Sequence, residues 1–269
     1  MKKVILITGI SSGFGKQTAE LLAKKGHVVY GTIRNAAETN PLVKVLQLDL
    51  TKLDSITNAV DTVLQCEGRI DVLINNAGMH TGGSVETLPI EYVKLQMDTN
   101  FMGLVHLTRT VLPGMRKQGS GTIINFGSIG GLMGLPFQGF YSASKFAIEG
   151  FSEALRMEVK QFNIHVVVIN PGDFHTSNSS NRRNFLTDSD DADPYKIQFA
   201  KSLSIIEKDE MKGWAPEILA KKMVKIVECR KPKQRYIIAS LEQKLAVILK
   251  SILPGVYFRK ILEGHYGIK

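Results

Sequence analysis

The 269-residue sequence has few cysteines and no long hydrophobic run. Its two cysteines, Cys66 and Cys229, form no CxxC pair and belong to no His/Cys cluster. This excludes a disulfide framework and a structural zinc site, and we predict no bound metal. The longest apolar runs, such as Val4–Ile7 and Val166–Ile169, are far shorter than the ~18 residues that span a bilayer. The start of the chain also lacks a secretory signal pattern, so we expect a cytoplasmic protein.

The chain also lacks a general excess of charge, although its formal net charge is +9. Residues 1–220 carry 22 basic and 22 acidic side chains, whereas residues 221–269 carry 12 basic and 3 acidic ones. Nucleic-acid binders combine such a basic patch with a reading motif, and none is present here, so we predict no nucleic-acid partner. The basic segment either makes the C-terminal surface soluble or is attracted to an anionic surface or an acidic partner.

The composition, with 43% hydrophobic and 22% charged residues, is that of an ordinary globular protein. Short runs rich in Val and Ile alternate with helical patterns, which predicts an α/β fold with a doubly wound parallel sheet. The predicted strands are Val4–Thr8, His27–Thr32, Val43–Leu48, Val72–Asn75, Gly121–Gly127, Ile164–Asn170 and Arg235–Ala239. The predicted helices are Lys16–Lys25, Leu53–Cys66, Pro89–Gln118, Ser142–Phe162 and Pro216–Cys229. The polar segment Thr176–Asp193 predicts a loop.

A glycine-rich segment follows the first predicted strand. It runs Thr8-Gly9-Ile10-Ser11-Ser12-Gly13-Phe14-Gly15 and opens a predicted helix. Glycines at these places allow a tight turn, a close approach of the backbone to a pyrophosphate and close helix packing. The helix N-terminus also offers free N–H groups to phosphates. On its own, such a loop is weak evidence, because a plain strand-to-helix turn is an alternative.

Further polar segments fall where a parallel sheet presents its ligand-binding loops. Asn75-Asn76-Ala77-Gly78 follows the fourth predicted strand, Ser128 follows the fifth, and Tyr141 and Lys145 begin the next helix. Tyr141 and Lys145 are four residues apart and therefore share one face of that helix. A nearby ammonium lowers the pKa of a phenol from its usual ~10, which predicts an acid/base group that works near neutral pH.

These motifs, with Asn100 and Pro171-Gly172…Thr176, occur in the order and spacing of the short-chain dehydrogenase/reductase family, which residues 3 to about 240 resemble. The resemblance implies a Rossmann-like single domain over residues 1–240 with a seven-stranded parallel sheet. It implies that Tyr141 is the catalytic acid/base and that Lys145 binds the nicotinamide ribose and tunes Tyr141. Ser128 would orient the substrate oxygen, and Asn100 would hold a water that links Lys145 to solvent. The implied cofactor-binding residues are Gly9, Ser11, Ser12, Gly13, Phe14, Gly15, Arg34, Asp49, Leu50, Asn76, Ala77, Gly78, Tyr141, Lys145, Pro171, Gly172, Phe174 and Thr176.

Within that family, the stretch 127–137 and the segment after Tyr141 are similar to the hydroxysteroid and retinol dehydrogenase branch. The loop between Ser128 and Tyr141 begins and ends at predicted catalytic positions, so we expect it to line the substrate pocket. Four of the loop's apolar side chains either fill the core or form an apolar wall of the substrate pocket: Leu132, Met133, Leu135 and Phe137. His80 and His175 flank the predicted pocket and are interpreted as structural histidines.

The end of the second predicted strand lacks the acidic residue that NAD-selective sites place on the ribose hydroxyls. Residues 26–37 contain no Asp or Glu, and Arg34 stands in this position. Its guanidinium offers a fork of donors to a 2′-phosphate, and in the resembling family an arginine here accompanies NADP. We therefore predict NADP(H) as the cofactor, with Asp49 at the family position that contacts adenine.

Together these features predict an NADP(H)-dependent oxidoreductase that interconverts a ketone and a secondary alcohol. The expected substrate is small and apolar, such as a steroid, a retinoid or a long-chain keto-lipid like 3-ketosphinganine. One alternative is a ketoacyl-thioester reductase, whose acidic carrier would meet the basic segment. The other is a non-catalytic dinucleotide-binding scaffold, which the complete set of predicted catalytic side chains argues against.

Residues 241–269 form a basic amphipathic extension, which the family resemblance explains least. One helical face of its first part is apolar and carries Leu241, Leu245, Ile248, Leu249 and Ile252. Pro254-Gly255 predicts the end of that helix, and apolar residues resume after it. The extension is predicted either to pack on the domain, as a pocket lid or an oligomer contact, or to rest on an anionic membrane.

Self-association is expected as well. The resembling family commonly pairs two long helices, which correspond here to Pro89–Gln118 and Ser142–Phe162. The second helix has more apolar positions than one core-facing stripe needs, namely Phe146, Ile148, Phe151 and Leu155. We therefore predict a homodimer or homotetramer.

Overall fold

Seven parallel strands form the central sheet of the computed structural model, which describes residues 1–34, 40–175, 183–184 and 193–268. In chain order they are β1 (Val4–Thr8), β2 (Val28–Ile33), β3 (Lys44–Gln47), β4 (Val72–Asn75), β6 (Gly121–Phe126), β7 (Ile164–Pro171) and β9 (Arg235–Ile238). Two short strands, β5 (Thr81–Gly82) and β8 (Arg183–Asn184), pair with each other in parallel. The predicted seven-stranded Rossmann-like sheet is confirmed.

The spatial order of the main sheet is β3-β2-β1-β4-β6-β7-β9. All five residues of β1 are buried, as expected for a strand between two others with helices on both faces. Ile5 of β1 lies beside Val29 of β2 and Val72 of β4. From β1 the chain therefore adds β2 and β3 on one side of the sheet. It then returns past β1 and adds β4, β6, β7 and β9 on the other side. Such a reversal opens a crevice at the carboxyl ends of the strands, where ligands bind in this class of sheet.

Nine α-helices surround the sheet in the part of the chain that the structure describes. They are α1 (Gly13–Lys24), α2 (Leu53–Glu67), α3 (Ile90–Met97), α4 (Gly103–Gln118), α5 (Gly139–Glu158), α6 (Lys196–Met211), α7 (Pro216–Glu228), α8 (Leu241–Ile252) and α9 (Gly255–Tyr266). Two apolar cores form, one on each face of the sheet. Helices α1 and α7 contribute to one of them, and α2, α4 and α5 contribute to the other.

The structure corrects one helix prediction and adds a helix that was not predicted. The predicted helix Pro89–Gln118 consists of α3, a π-helical turn at Asp98–Met102 and α4. Helix α6 was not predicted at all, although its buried residues Phe199, Leu203 and Ile206 have helical spacing. The predicted loop Thr176–Asp193 lies outside the described residues except for Arg183–Asn184 and its last position.

The C-terminal extension is helical, as predicted. It forms α8, whose apolar face and end were predicted from the sequence, and a second helix, α9, which packs on α6. Ser240 and Gln243 close a capping box at the start of α8. At the end of α9, the carbonyl oxygens of Tyr266 and Gly267 accept hydrogen bonds from the side chains of Ser202 and Gln198, at 3.3 and 3.1 Å. None of the helices in the described residues is long and apolar enough to cross a membrane.

Candidate active site

The glycine-rich loop between β1 and α1 packs tightly against the loop that follows β4. Gly9 has a φ of +73°, which side chains rarely adopt, and a Cβ there would lie 2.9 Å from the Cα of Ala77. A Cβ on Gly15 would overlap the carbonyl oxygen of Gly9. Glycine is therefore needed at both positions, and the loop presents bare backbone beside the N-terminus of α1.

Hydrogen bonds hold these two loops in register. The Thr8 hydroxyl oxygen accepts from the backbone N–H groups of Asn76 and Ala77, at 3.1 and 2.9 Å. The Asn76 side-chain amide donates in turn to the carbonyl oxygens of Thr8 and Gly9, at 2.8 and 3.0 Å. The resulting cradle of backbone and small side chains fits a dinucleotide pyrophosphate, as the sequence predicted.

Lys145 and Tyr141 stand on successive turns of α5. The Lys145 Nζ donates a 2.8 Å hydrogen bond to the carbonyl oxygen of Phe126, at the end of β6, and lies 5.8 Å from the centre of the Tyr141 ring. Ser128 caps the short turn after β6, where its Oγ accepts from the backbone N–H of Gly130 at 3.0 Å. Three of the four predicted catalytic side chains therefore line one cavity, at the carboxyl ends of the strands.

The fourth, Asn100, lies behind that cavity in the π-helical turn and is 1% exposed. Its Oδ1 accepts from the backbone N–H of Met79 at 2.7 Å, and its Nδ2 donates to the Met79 carbonyl oxygen at 2.9 Å. A second bond joins Nδ2 to the Oγ of Ser144, on α5, at 3.2 Å. A Cβ on Gly78 would lie 3.3 Å from Asn100 Oδ1 and 3.7 Å from Lys145 Nζ, so both groups flank this glycine.

Burial lowers the pKa of Lys145 to about 8, while the Glu149 carboxylate raises it. Glu149 is itself buried and stands one turn further along α5. Its two carboxylate oxygens accept from Asn170 Nδ2 and Arg235 Nη2, each at 2.6 Å. This network was not predicted from the sequence. The spacing of Glu149 four residues after Lys145 was the one available signal.

The cavity has a volume of about 1090 Å³ and brings most of the predicted cofactor residues together. Those that line it are Gly9, Ser11, Ser12, Phe14, Gly15, Arg34, Asp49, Leu50, Asn76, Ala77, Gly78, Tyr141, Lys145, Pro171, Gly172 and Phe174. Gly13 does not line it and instead begins α1 with a φ of +54°. Thr176 lies outside the described residues.

Arg34 and Asp49 lie at one end of this cavity, beyond the ends of β2 and β3. Arg34 is exposed, so its guanidinium is accessible to a ligand. Burial alone would raise the pKa of Asp49, but hydrogen bonds from the Thr51 N–H and hydroxyl outweigh it and hold that pKa below its usual value. A charged Asp49 therefore accompanies an accessible cation at the position where the sequence predicted recognition of a 2′-phosphate.

The predicted apolar wall is only partly present. Met133 and Leu135 line the cavity, but Leu132 and Phe137 are not among its lining residues. Phe137 instead has a φ of +57° and stacks on Phe199 of α6, with ring centres 5.2 Å apart. Further apolar lining comes from α6, α8 and α9, through Ile206, Ala246, Ile261 and Leu262. The C-terminal extension is thus part of the cavity wall.

An acidic group in the same wall was not expected from the sequence. Asp173 follows Gly172 after β7, while Asp209 and Glu210 stand near the end of α6, and all three line the cavity. Burial, together with the negative charges of Glu210 and Asp209, raises the pKa of Asp173 to about 6. Gln243 of α8 donates a 2.5 Å hydrogen bond to Asp173, and His265 of α9 lies 3.0 Å from Asp209. The chain segments that supply this group are far apart in sequence.

The two flanking histidines differ. His80 is 5% exposed, lines the cavity and stacks on Tyr141, with ring centres 4.1 Å apart and an interplanar angle of 24°. It therefore fixes the plane of the phenol ring, which agrees with a structural role. His175 is exposed and is not among the lining residues.

Comparison with known proteins identifies the family. A model of the short chain dehydrogenase family matches residues 3–186. A protein named 3-ketodihydrosphingosine reductase, from Bacteroides thetaiotaomicron, is 47% identical over 267 residues, which is 99% of each chain. Human retinol dehydrogenase 8 is 38% identical over 184 residues, covering 63% of this chain and 58% of its own length.

A solved structure shares the fold over its whole length. The short-chain dehydrogenase from Streptomyces avermitilis aligns with a TM-score of 0.81 and 28% identity, and the alignment covers 98% of each chain. The predicted resemblance is therefore confirmed, and with it a nicotinamide dinucleotide as cofactor, since members of the family use NAD or NADP. The chain belongs to the short-chain dehydrogenase/reductase family and is an oxidoreductase acting on alcohol and ketone groups.

Proposed function

We propose that this protein uses NADPH to reduce the ketone of a long-chain 2-amino ketone of the 3-ketosphinganine type. The observation that carries the proposal is the shared cavity, which joins the Tyr141–Lys145 pair to an acidic wall and to apolar side chains of the C-terminal helices. The 47% identity to a protein named 3-ketodihydrosphingosine reductase supports the same substrate class. 3-Ketosphinganine has a ketone, a neighbouring amine and a long alkyl chain.

The proposed reaction assigns a separate task to each side chain. The hydride for the carbonyl carbon is the chemistry that the bound cofactor supplies. Tyr141 donates its phenolic proton to the carbonyl oxygen, and the Lys145 ammonium stabilises the phenolate that remains. The Ser128 hydroxyl donates to the same oxygen and orients it. Asn100 fixes the loop at Met79 against α5, through the bonds described above, and thereby positions the turn that carries Tyr141.

The choice of NADPH over NADH rests on Arg34. Its exposed guanidinium lines the cavity beyond β2, and residues 26–34 contain no acid that would repel a 2′-phosphate. Lys52 is the next cation near this end, since its charge, like that of Arg34, lowers the pKa of Asp49. A phosphate placed here would therefore meet the fork of donors on Arg34 and the charge of Lys52, beside the single carboxylate of Asp49.

The acidic wall supports an amine on the substrate. A protonated amine next to the ketone would approach Asp173, which directly follows the Pro171-Gly172 segment. Because the pKa of Asp173 is about 6, this group is mainly ionised at pH 7 and gains a counter-ion when the amine binds. Asp209 is already matched by His265. Of the two aspartates in this wall, Asp173 is thus the better suited to receive an ammonium.

The deciding experiment measures NADPH oxidation with 3-ketosphinganine and with 1-hydroxyoctadecan-3-one, which keeps the ketone and chain but lacks the amine. A charge-assisted hydrogen bond of about 1.5–3 kcal/mol predicts a roughly 10- to 100-fold preference in kcat/KM for the amine. Asp173→Asn should abolish that preference, while the matched variant Glu217→Gln, on the exposed start of α7, should retain it. The preference should also fade below pH 6.

Three results would contradict the proposal. The first is no NADPH oxidation with either ketone, and the second is equal rates with both in the wild type. The third is faster turnover of a ketoacyl thioester, which favours the fatty-acid type of reductase. Steroid and retinoid ketones complete the panel, because the sequence analysis also predicted these classes.

We also propose a homodimer or homotetramer, formed through the faces of α4 and α5. Phe146 of α5 is 44% exposed and Met102, before α4, is 38% exposed, so apolar side chains remain uncovered near these helices.

We propose residues 1–240 as the dinucleotide-binding domain and residues 241–269 as its extension. We also propose that the protein is cytoplasmic and contacts membranes. Cys66 and Cys229 are exposed free thiols, which supports a reducing compartment.

A further inference from the structure

Helix α8 points its apolar stripe away from the domain. Leu241, Leu245, Ile248 and Ile252 follow one another at intervals of three or four residues, so they project from one side of the helix. Their exposed fractions are 84%, 54%, 55% and 67%. An amphipathic helix on a globular protein normally turns such a stripe inward, and this stripe is therefore free to contact something else.

The opposite side of α8 holds the helix in place. Gln243 lies about half a turn from the stripe and bonds to Asp173 through both its amide nitrogen and its oxygen. Ala246, on the same inner side, lines the cavity. Helix α9 is anchored by Phe258, which is 2% exposed. The outward direction of the stripe is thus set by tertiary contacts.

Helix α9 also exposes apolar side chains, and these reach the cavity. Val256, Tyr257 and Ile261 of α9 are 53%, 61% and 47% exposed. Ile261 also lines the cavity, as does its neighbour Leu262. Exposed apolar side chains therefore occur on both helices of the extension, and those of α9 reach the wall of the proposed substrate site.

The charge of this region is positive. Residues 221–268 carry 11 basic and 3 acidic side chains. Lys260 is exposed on α9, whereas Arg259 is paired with Glu263 at 3.3 Å and Lys250, on the inner side of α8, lies 5.3 Å from the centre of the Phe258 ring. Exposed apolar side chains on a segment with a large excess of basic residues are typical of helices that lie in the interface of an anionic bilayer. A second copy of the chain fits less well, because a symmetric contact would bring two segments of the same positive charge together.

We propose that the stripe formed by Leu241, Leu245, Ile248 and Ile252 binds the surface of an anionic lipid bilayer and sets the cavity mouth against it. This inference rests on the proposed function for its purpose, since a long-chain ketone then passes from the bilayer into the cavity along Ile261 and Leu262. Membrane binding itself needs no turnover and is measured separately.

The test is sedimentation of the full-length protein with vesicles of equal parts phosphatidylcholine and phosphatidylglycerol. The protein should bind at low salt and bind more weakly as salt is raised, because the lysine contribution is screened. Leu245→Glu/Ile248→Glu should lower the partition coefficient by about 100-fold or more, since two large apolar side chains leave the interface. Neither residue lines the cavity, so turnover of a short water-soluble ketone should be unchanged.

A matched control is Leu42→Glu/Leu53→Glu, which adds the same charge at two positions that are 46% and 57% exposed, before β3 and at the start of α2. This variant should bind vesicles like the wild type. The proposal is overturned if the wild type ignores anionic vesicles at low salt, or if the α8 variant binds as well as the control. It is also overturned if the α8 substitutions dissociate an oligomer and leave vesicle binding intact, since the stripe then contacts a second copy.

Discussion

Lys145→Met should make the cofactor-free protein more stable at pH 7 and less stable at pH 10. Lys145 is buried, and burial lowers its pKa from 10.5 to about 8. This shift corresponds to about 3 kcal/mol of unfavourable free energy for the buried ammonium, at 1.36 kcal/mol per pKa unit. Methionine has a similar length and no charge, so it removes that cost. It also leaves the Phe126 carbonyl without its donor, which costs about 1–3 kcal/mol.

The net gain in unfolding free energy at pH 7 is therefore about 1 kcal/mol. The sign changes with pH because the folded protein releases the Lys145 proton above pH 8, while the unfolded chain keeps it until about 10.5. Unfolding of the wild type then takes up a proton, and the stability of the wild type rises with pH across this window. By pH 10 the wild type should exceed the variant by about 2 kcal/mol.

Urea unfolding at pH 7 and pH 10, without cofactor, measures both differences. Lys221→Met, on an exposed position of α7, is the matched control, and its difference from the wild type should be the same at both pH values. A Lys145→Met difference that does not change between pH 7 and pH 10 would refute the reasoning. The variant should also lose ketone reduction, so that stability and activity move in opposite directions.

Four further outcomes are expected. Tyr141→Phe should lower kcat by ~10²-fold or more with little change in NADPH affinity, and a kcat above a tenth of the wild type contradicts its acid role. Arg34→Asp should reverse the NADPH/NADH ratio of kcat/KM, because attraction is replaced by repulsion; an unchanged ratio excludes Arg34 as the phosphate contact. Glu149→Gln should move the alkaline limb of kcat/KM to lower pH, since the Glu149 carboxylate raises the pKa of Lys145. Arg235→Gln, which breaks the Arg235–Glu149 ion pair but keeps that carboxylate, should not move the limb to lower pH. Sedimentation at micromolar concentration should show a dimer or tetramer, and a single 29.7 kDa species argues against self-association.

The central sheet could be predicted because its signal is local. Strands such as Val4–Thr8 and Ile164–Pro171 are short apolar runs, and each lies between turn residues and a helical pattern. Helix α6 was missed because its buried side includes Ser202, which weakens the apolar pattern of Phe199, Leu203 and Ile206. Tertiary contact with the extension, and not periodicity alone, accounts for that buried serine.

The cofactor loop and the Tyr141–Lys145 pair were also readable from the sequence. In both cases, residues that are close together in the chain are also close together in space. One turn of helix joins Tyr141 to Lys145, and one strand-to-helix turn joins the glycines. The π-helical turn at Asn100 could not be read in this way. It depends on an amide that bonds to Met79 and Ser144, on two other segments.

The sequence by itself therefore determined the parallel sheet, the glycine-rich loop, the Tyr141–Lys145 pair and the amphipathic helix that opens the C-terminal extension, because each depends on residues close together in the chain. Only the tertiary structure decided which charges meet. Asp173, Asp209 and His265 come from three separate segments, and the pKa of Asp173 rises because folding buries it beside other acids. The tertiary structure also decided the direction in which the α8 stripe points. Periodicity shows that a helix has an apolar side, but the Gln243–Asp173 bond on the opposite side turns it toward solvent.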